Sequence, residues 1–235
     1  MAMRRLENAS ERLDEARHEP GVLARDFDKI EAVNRWLGGL RSARRSLDDL
    51  VRPGSVLTVL DVGCGSGDVP RAMAGLGETA HCQIRVVAVD RHAQILAIAR
   101  QRTAPSAPIR FVRADGLSLP FPDASFDVAT MSLSLHHFEG EARARMLREL
   151  ARVARRRVII NDLERCWPNY LGACLLAVTL WLGNPLARHD GPVSVLRSFS
   201  AAELGVELAA AGLGEVRVVR RFCYRLVASG SPRHA

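Results

Sequence analysis

At 235 residues, 48% of them hydrophobic, the chain is long enough to bury a full α/β core. The formal charge of +7 invites a nucleic-acid reading, but the arginines scatter over 41–45, 143–157 and 217–225. Twelve aromatic residues with no basic-aromatic interleaving offer no base-stacking track, so a solvated basic surface and no nucleic-acid partner are expected.

The first segment, MAMRRLENASERLDEARHE, has no apolar h-region, so no secretory signal is expected and the location is read as cytoplasmic. Residues 1–52 read as an N-terminal helical cap. Phe27, Ile30, Val33 or Asn34, and Leu37 recur at helical spacing, as do Leu40, Ala43, Leu47 and Leu50, and Pro53-Gly54 ends the run. Residues 53–235 then form the main domain. Val59–Pro70 reads VLDVGCGSGDVP: a strand reaching Asp61, glycines at 63, 65 and 67, and a helix start. Such glycines let the backbone turn sharply and let a ligand approach where a Cβ would stand. The dinucleotide spacing G-x-G-x-x-G requires glycine at position 68, which is Asp68, so a nicotinamide oxidoreductase is disfavoured. Arg85–Val89 is a second strand ending at Asp90, and Ile109–Arg113 a third ending in Ala114-Asp115-Gly116. A fourth closes at Met131-Ser132-Leu133-Ser134-Leu135-His136-His137, followed by a helix over 139–153 whose Glu141, Arg145 and Glu149 stand at pairing distance. A fifth strand ends at Ile160-Asn161-Asp162. The alternation predicts an α/β fold with a parallel, doubly wound sheet.

Beyond residue 162 the pattern breaks at an insertion of about 163–199. Tyr170–Leu182 is uncharged and too short for a membrane span, so a buried or lid helix is expected, without stable membrane insertion. Ser200-Ala201-Ala202-Glu203 is a capping box opening a helix to Ala211, and 216–219 with 222–227 suggest a terminal strand pair. The five cysteines, Cys64, Cys82, Cys166, Cys174 and Cys223, contain no C-x-x-C pair; no disulfide framework and no metal is expected. With Lys29 the single lysine among 33 basic residues and alanine abundant, the composition suggests a GC-rich bacterial genome.

Asp61-x-Gly63-x-Gly65-x-Gly67 resembles motif I of the class I S-adenosylmethionine-dependent methyltransferases. Leu119-Pro120-Phe121-Pro122-Asp123-Ala124-Ser125-Phe126-Asp127 and Leu135-His136-His137-Phe138 are similar to segments of the ubiquinone- and menaquinone-biosynthesis subgroup. The resemblance covers roughly residues 57–160. It implies a Rossmann-like, mostly parallel seven-stranded sheet whose terminal hairpin supplies the single antiparallel strand. It also implies S-adenosyl-L-methionine as cofactor and S-adenosyl-L-homocysteine as product, held by Asp61, Gly63, Gly65, Gly67, Asp90, Arg91, Asp115, Gly116 and Leu133. In the family, the acid at Asp90 takes the ribose hydroxyls and that at Asp115 the adenine amino group. Residues 161–165 with 189–199 look like a bacterial subgroup associated with aromatic polyketide and quinone-like metabolites, that is, secondary metabolism.

The reaction so implied is an in-line displacement, which needs an aligned acceptor, excluded water and, for a weakly acidic acceptor, a base. His136 and His137 are candidate bases at the end of strand four. His189, beside Asp190 and Gly191, is another, unless those residues form a turn. Asn161 and Asp162 are candidates for binding the acceptor, although Asp162 would equally cap the next helix. Trp36, with Asn34 and Arg35, is a candidate lid over the site, with packing the alternative. No Asn/Asp-Pro-Pro-Tyr/Phe segment, Pro-Cys pair, strand-four glutamate pair or spaced thiols occur, which sets aside amino-methylating, RNA C5, protein-arginine and arsenite enzymes. An apolar or aromatic small-molecule acceptor remains, methylated on a phenolic or quinol-like hydroxyl or, alternatively, on an activated ring carbon. A catalytically silent cofactor-binding partner protein would carry the same motifs. Either a monomer or a homodimer is compatible with the chain.

Overall fold

The computed structural model describes residues 3–14 and 20–233. Seven strands, β1 (Val56–Val62), β2 (Gln83–Asp90), β3 (Ile109–Arg113), β4 (Phe126–Ser132), β5 (Ala154–Leu163), β6 (Gly214–Arg221) and β7 (Arg225–Ser231), make one sheet in the order β3-β2-β1-β4-β5-β7-β6. β1 to β5 pair in parallel, and β7 runs antiparallel between β5 and β6. This is the doubly wound sheet with a C-terminal hairpin that the alternation and the resemblance predict.

Both faces of the sheet are covered, which is why its central strands read as continuous apolar runs. Leu60 and Val59, neighbours on β1 and therefore on opposite faces, are both fully buried. On Leu60's face lie α5 (Gly140–Val153) and α8 (Ala201–Ala210), with Met146, Leu150, Leu204 and Leu208 against β4, β5 and β7. On Val59's face lie α2 (Gly39–Arg45) and α3 (Asp68–Thr79), with Ala43, Leu47 and Met73 in one cluster with Ile84, Val128 and Ile159. α4 (Ala93–Gln101) places Leu96 beside Cys64 and Ala88. α1 (Pro20–Trp36), α6 (Trp167–Ala177) and α7 (Pro185–Arg197) gather at the sheet's C-terminal edge.

Four local expectations are corrected. The uncharged 170–182 stretch is not one helix: α6 ends at Ala177, and the chain folds back so that Trp181 lies on Gly191 of α7, where a Cβ would stand 2.3 Å from the indole. α7 opens on Asn184, whose side chain accepts from the Leu186 and Ala187 amides, with Pro185 following. Consequently His189-Asp190-Gly191 is helix interior rather than a turn. The last strand starts at Arg225 rather than residue 222, because Cys223 (φ 58°) and Tyr224 (φ 56°) close the hairpin in the left-handed region and leave Phe222 in solvent. On α5, Glu141 pairs with Arg148 and Glu149 with Arg152, rather than both through Arg145. The capping box at Ser200 and Glu203 forms as expected.

Candidate functional site

A cavity of about 860 Å³ opens at the C-terminal ends of β1, β2 and β4, under α1, α6 and α7. Its floor is the glycine loop. Gly63 (φ 72°) turns the chain out of β1, and a Cβ there would meet the Ser134 hydroxyl at 2.6 Å. The Gly65 amide donates to Asp90 Oδ2 (3.3 Å), so the loop is tied to the end of β2. Gly67 does not line the cavity; it is the left-handed N-cap of α3 and packs against Phe111.

Asp61, Gly63, Gly65, Asp90, Arg91, Asp115, Gly116 and Leu133 all line the cavity, which brings together every cofactor-binding residue expected from the sequence except Gly67. Leu133 does so at φ 51°, redirecting the chain after β4. A Cβ at Gly116 would stand 2.6 Å from Met146 Cε and 2.9 Å from Val62 Cγ1. Asp90 Oδ1 also accepts from the His92 amide (2.9 Å), and Asp115 Oδ1 from the Leu117 amide (2.9 Å). Arg91 is exposed, its Nε 2.9 Å from His92 Nε2.

The electrostatics of this floor are unbalanced. Asp61 is 1% exposed, and its Oδ1 has no hydrogen-bond partner. Burial, then the neighbouring Asp68 and Asp90, push its carboxyl well above the ordinary range. Burial likewise raises Asp68 and Asp90, against the hydrogen bonds each accepts. Asp68 is held by the Asn34 amide (2.8 Å), whose oxygen accepts from the buried Arg225 (2.9 Å); burial depresses Arg225 to about 10. An orphaned carboxylate beside a backbone cradle without Cβ atoms fits a ligand with a cationic end and an adenosine-like body, as S-adenosylmethionine has. A stability consequence follows with a definite sign. Because Asp61's folded pKa is raised, the unfolded state releases its proton first, and stability is lost as pH rises through the folded value. Asp61→Asn is therefore expected to raise the ligand-free melting temperature at neutral pH, by the equivalent of roughly 1–3 kcal/mol for an unsatisfied buried group. The gain should vanish below the ordinary carboxylate range. Thermal melts of the two proteins across pH check this; a gain that persists in acid would contradict it.

Beyond the floor, a single 3-10 turn, Leu135–His137, lies past the end of β4 and sets His136 and His137 on the cavity wall, their rings stacked at 4.5 Å. His136 is 1% exposed; its Nδ1 lies 2.7 Å from Asp162 Oδ1, and its amide donates to Asp162 Oδ2 (3.2 Å). Burial pushes the Asp162 carboxyl up, but His136 and the Leu163 amide outweigh it and hold it below the ordinary value. An ionised Asp162 accepts Nδ1–H and so leaves Nε2, itself buried, without a hydrogen-bond partner. Opposite stands Glu11, 3% exposed, with Oε1 3.5 Å from His136 Nε2 and Oε2 3.7 Å from His137 Nε2.

Glu11 was invisible to sequence reasoning: it sits in a charged N-terminal run that reads as solvated. It is buried because α7 grips that run. Asp190 accepts from the Arg12 and Leu13 amides (both 2.9 Å), Ser194 Oγ donates to Glu11 Oε2 (2.6 Å), and Arg197 lies 3.4 Å from Glu11 Oε1. Glu11, His136 and His137 have the donor types of a divalent-cation site, with ligand atoms within 4.8 Å of one another. Ser194 and Arg197 already engage the carboxylate, however, and supply the donor and the positive charge a cation would bring.

Four other expected residues are placed elsewhere. His189 does not line the cavity; it is partly exposed on α7, its Nδ1 2.7 Å from Asp190. Trp36 is 75% exposed, about 200° around α1 from Asn34; Asn34 is buried in the cavity wall and Arg35 is exposed. Asn161 points to the α2 face, its amide 3.4 Å from the Gly39 carbonyl. Asp162 is fully buried behind His136 and is not part of the lining. Neither Asn161 nor Asp162 therefore meets an acceptor directly. The upper cavity is apolar instead, walled by Leu37, Leu163, Ala173, Leu176, Trp181 and Val195.

Residues 59–157 match the family described as "Methyltransferase domain". The chain is 33% identical to the demethylmenaquinone methyltransferase of Thermus thermophilus over 56% of its own length and 57% of that protein's. It is 36% identical to O-methyltransferase cnsE of Penicillium expansum over 59% of its own length and 50% of that protein's. The matches thus span about half the length of these curated relatives. Among solved structures, an S-adenosylmethionine-dependent methyltransferase from Aquifex aeolicus superposes with a TM-score of 0.65 at 21% identity, over 92% of this chain and all of that one. The glycine loop, the strand-end acids around one cavity and these likenesses converge: residues 59–157 are similar to a methyltransferase domain, and the chain has the fold of an S-adenosylmethionine-dependent methyltransferase.

Proposed function

We propose that the protein transfers a methyl group from S-adenosylmethionine to a hydroxyl of a phenolic or quinol-like small molecule, with His136 as general base. The observation that carries this reading is the buried His136–Asp162 pair on the cavity wall, its Nε2 without a hydrogen-bond partner, 3.5 Å from Glu11 and below the apolar upper chamber. When bound, S-adenosylmethionine supplies an electrophilic methyl on a positively charged sulfur. Asp61 would hold a cationic end of that molecule, Asp90 its ribose and Asp115 its base. The apolar wall orients an aromatic acceptor and excludes water, so that little chemistry beyond alignment and proton removal is left to the protein. His136 Nε2 takes the acceptor's hydroxyl proton, Asp162 holds the ring in the tautomer that can do so, and the resulting imidazolium lies between two carboxylates, Asp162 and Glu11.

Glu11 is on this reading a positioning residue. Glu11→Gln is expected to lower kcat about tenfold while leaving the Kd for S-adenosylhomocysteine within twofold. A turnover assay beside a binding titration checks the split, and an unchanged kcat would remove Glu11 from the account.

C-methylation of an activated ring is the second reading, favoured by relatives named as demethylmenaquinone and 2-phytyl-1,4-naphtoquinone methyltransferases. The relative named an O-methyltransferase points the other way. Screening phenols and quinols with isotopically labelled methyl donor, followed by NMR of the product, separates an ether methyl from a ring methyl. Binding of the donor with no turnover on any such acceptor would instead favour the silent partner protein. We read residues 1–52 as a helical cap and 163–199 as a lid over this site, acting on the acceptor side.

A further inference from the structure

The exposed face of α6 and the turn after it carry Trp167, Leu171, Leu175, Val178 and Leu182, each more than half exposed. They recur every three or four residues, so they form one stripe rather than scattered surface leucines. No charged side chain occurs from residue 166 to residue 187. The stripe continues onto the hairpin turn, where Phe222 (67% exposed) and Tyr224 lie across a shallow groove from Cys166 and Pro168. The Phe222 ring also packs on Gly38, two residues after the exposed Trp36. This apolar surface borders the site itself. Gly172, Ala173 and Leu176 of α6 line the cavity together with Leu175 of the stripe, as do Cys223 and Tyr224 of the turn.

We infer that this face docks the protein on the surface of an anionic lipid bilayer, with the acceptor cavity opening at the contact. The inference deepens the reading above, in which the acceptor is apolar. The charges beside the patch select the partner. Arg188 is exposed after the α6–α7 turn, and Arg220, paired with Glu164, and Arg221 line the groove beside Phe222, on a chain whose formal charge is +7. A second copy would bring the same arginines against one another, whereas anionic headgroups complement them. Aromatic side chains rimming an aliphatic stripe, beside basic residues, are the pattern of an element lying in the interface. Spanning is not involved: α6 has 11 residues, and no helix among the described residues is long and apolar enough to cross a membrane.

The test is sedimentation of the full-length protein with phosphatidylcholine vesicles and with vesicles of three parts phosphatidylcholine to one part phosphatidylglycerol, followed also by tryptophan emission. Of the three tryptophans, Trp167 lies on this face and Trp36 is also exposed. The expected result is co-sedimentation with the anionic vesicles, a blue shift, and weakening as salt rises. Leu171→Glu with Val178→Glu, on the exposed face, should lower vesicle partitioning on the order of tenfold or more. Its melting temperature and affinity for S-adenosylhomocysteine should stay unchanged. Absence of sedimentation with either vesicle, sedimentation unaffected by the double variant, or a dimer in light scattering that the double variant abolishes would each overturn the proposal. Sedimentation reads no chemistry, so a protein that docks but turns over no acceptor would contradict the enzymatic reading and leave docking standing.

Discussion

His136→Ala is expected to lower kcat for methyl transfer by roughly 10²–10⁴-fold, the usual worth of a positioned general base. The affinity for S-adenosylhomocysteine should change little, because the imidazole is held on the turn past β4 by Asp162 and not by the glycine loop. Asp162→Asn provides the sharper comparison. It keeps the shape behind the ring but donates where Asp162 accepts, so the Nδ1–H tautomer is no longer favoured and the lone pair is lost from Nε2. A loss approaching that of His136→Ala, with the fold retained, would identify the pair as a unit. The measurement is steady-state turnover on the best acceptor beside calorimetry. If His136→Ala retains wild-type kcat, alignment alone carries the reaction and the base assignment falls.

Asp90→Ala is expected to weaken binding of S-adenosylmethionine and S-adenosylhomocysteine by about 10²–10⁴-fold. This is the worth of two hydrogen bonds to a charged acceptor at roughly 1.5–3 kcal/mol each. The same carboxylate accepts from the Gly65 and His92 amides, so part of the loss comes from a loosened loop. Asp90→Asn retains one carbonyl oxygen and should lose less. Both variants should affect the two ligands equally, since the methyl group lies away from the ribose. A variant that discriminates between the ligands, or binds both as wild type does, would remove Asp90 from the ribose site.

What the sequence made legible was whatever local pattern determines. The glycine loop needs positive φ and missing Cβ atoms at consecutive turns, and the strand-end acids follow apolar runs, so the loop, Asp90 and Asp115 could be located by pattern. Their roles toward the cofactor, the seven-stranded sheet and its single antiparallel strand came with the resemblance. What stayed hidden depends on phase and on distant packing. Asn161 and Asp162 are adjacent on β5 and so face opposite sides of the sheet; both were proposed for the acceptor, and neither reaches it. Trp36 and Asn34 differ by two positions on α1, enough to send one to solvent and the other into the Arg225–Asp68 network. His189 was chosen for its neighbour Asp190, which does hold its Nδ1 while also accepting from the Arg12 and Leu13 amides, but His189 does not line the cavity. Glu11 had no local signal, since its burial is created by Ser194 and Arg197, more than 180 residues away in sequence.

The central claim is that the cavity holds a sulfonium cofactor of the adenosine type. The most direct test is calorimetric titration of the full-length protein with S-adenosylmethionine and S-adenosylhomocysteine, with NADH as control. The account predicts one binding site for each sulfur compound, lost together in Asp90→Ala, and no heat with NADH. Silence from both sulfur compounds, or binding of NADH in their place, would contradict it.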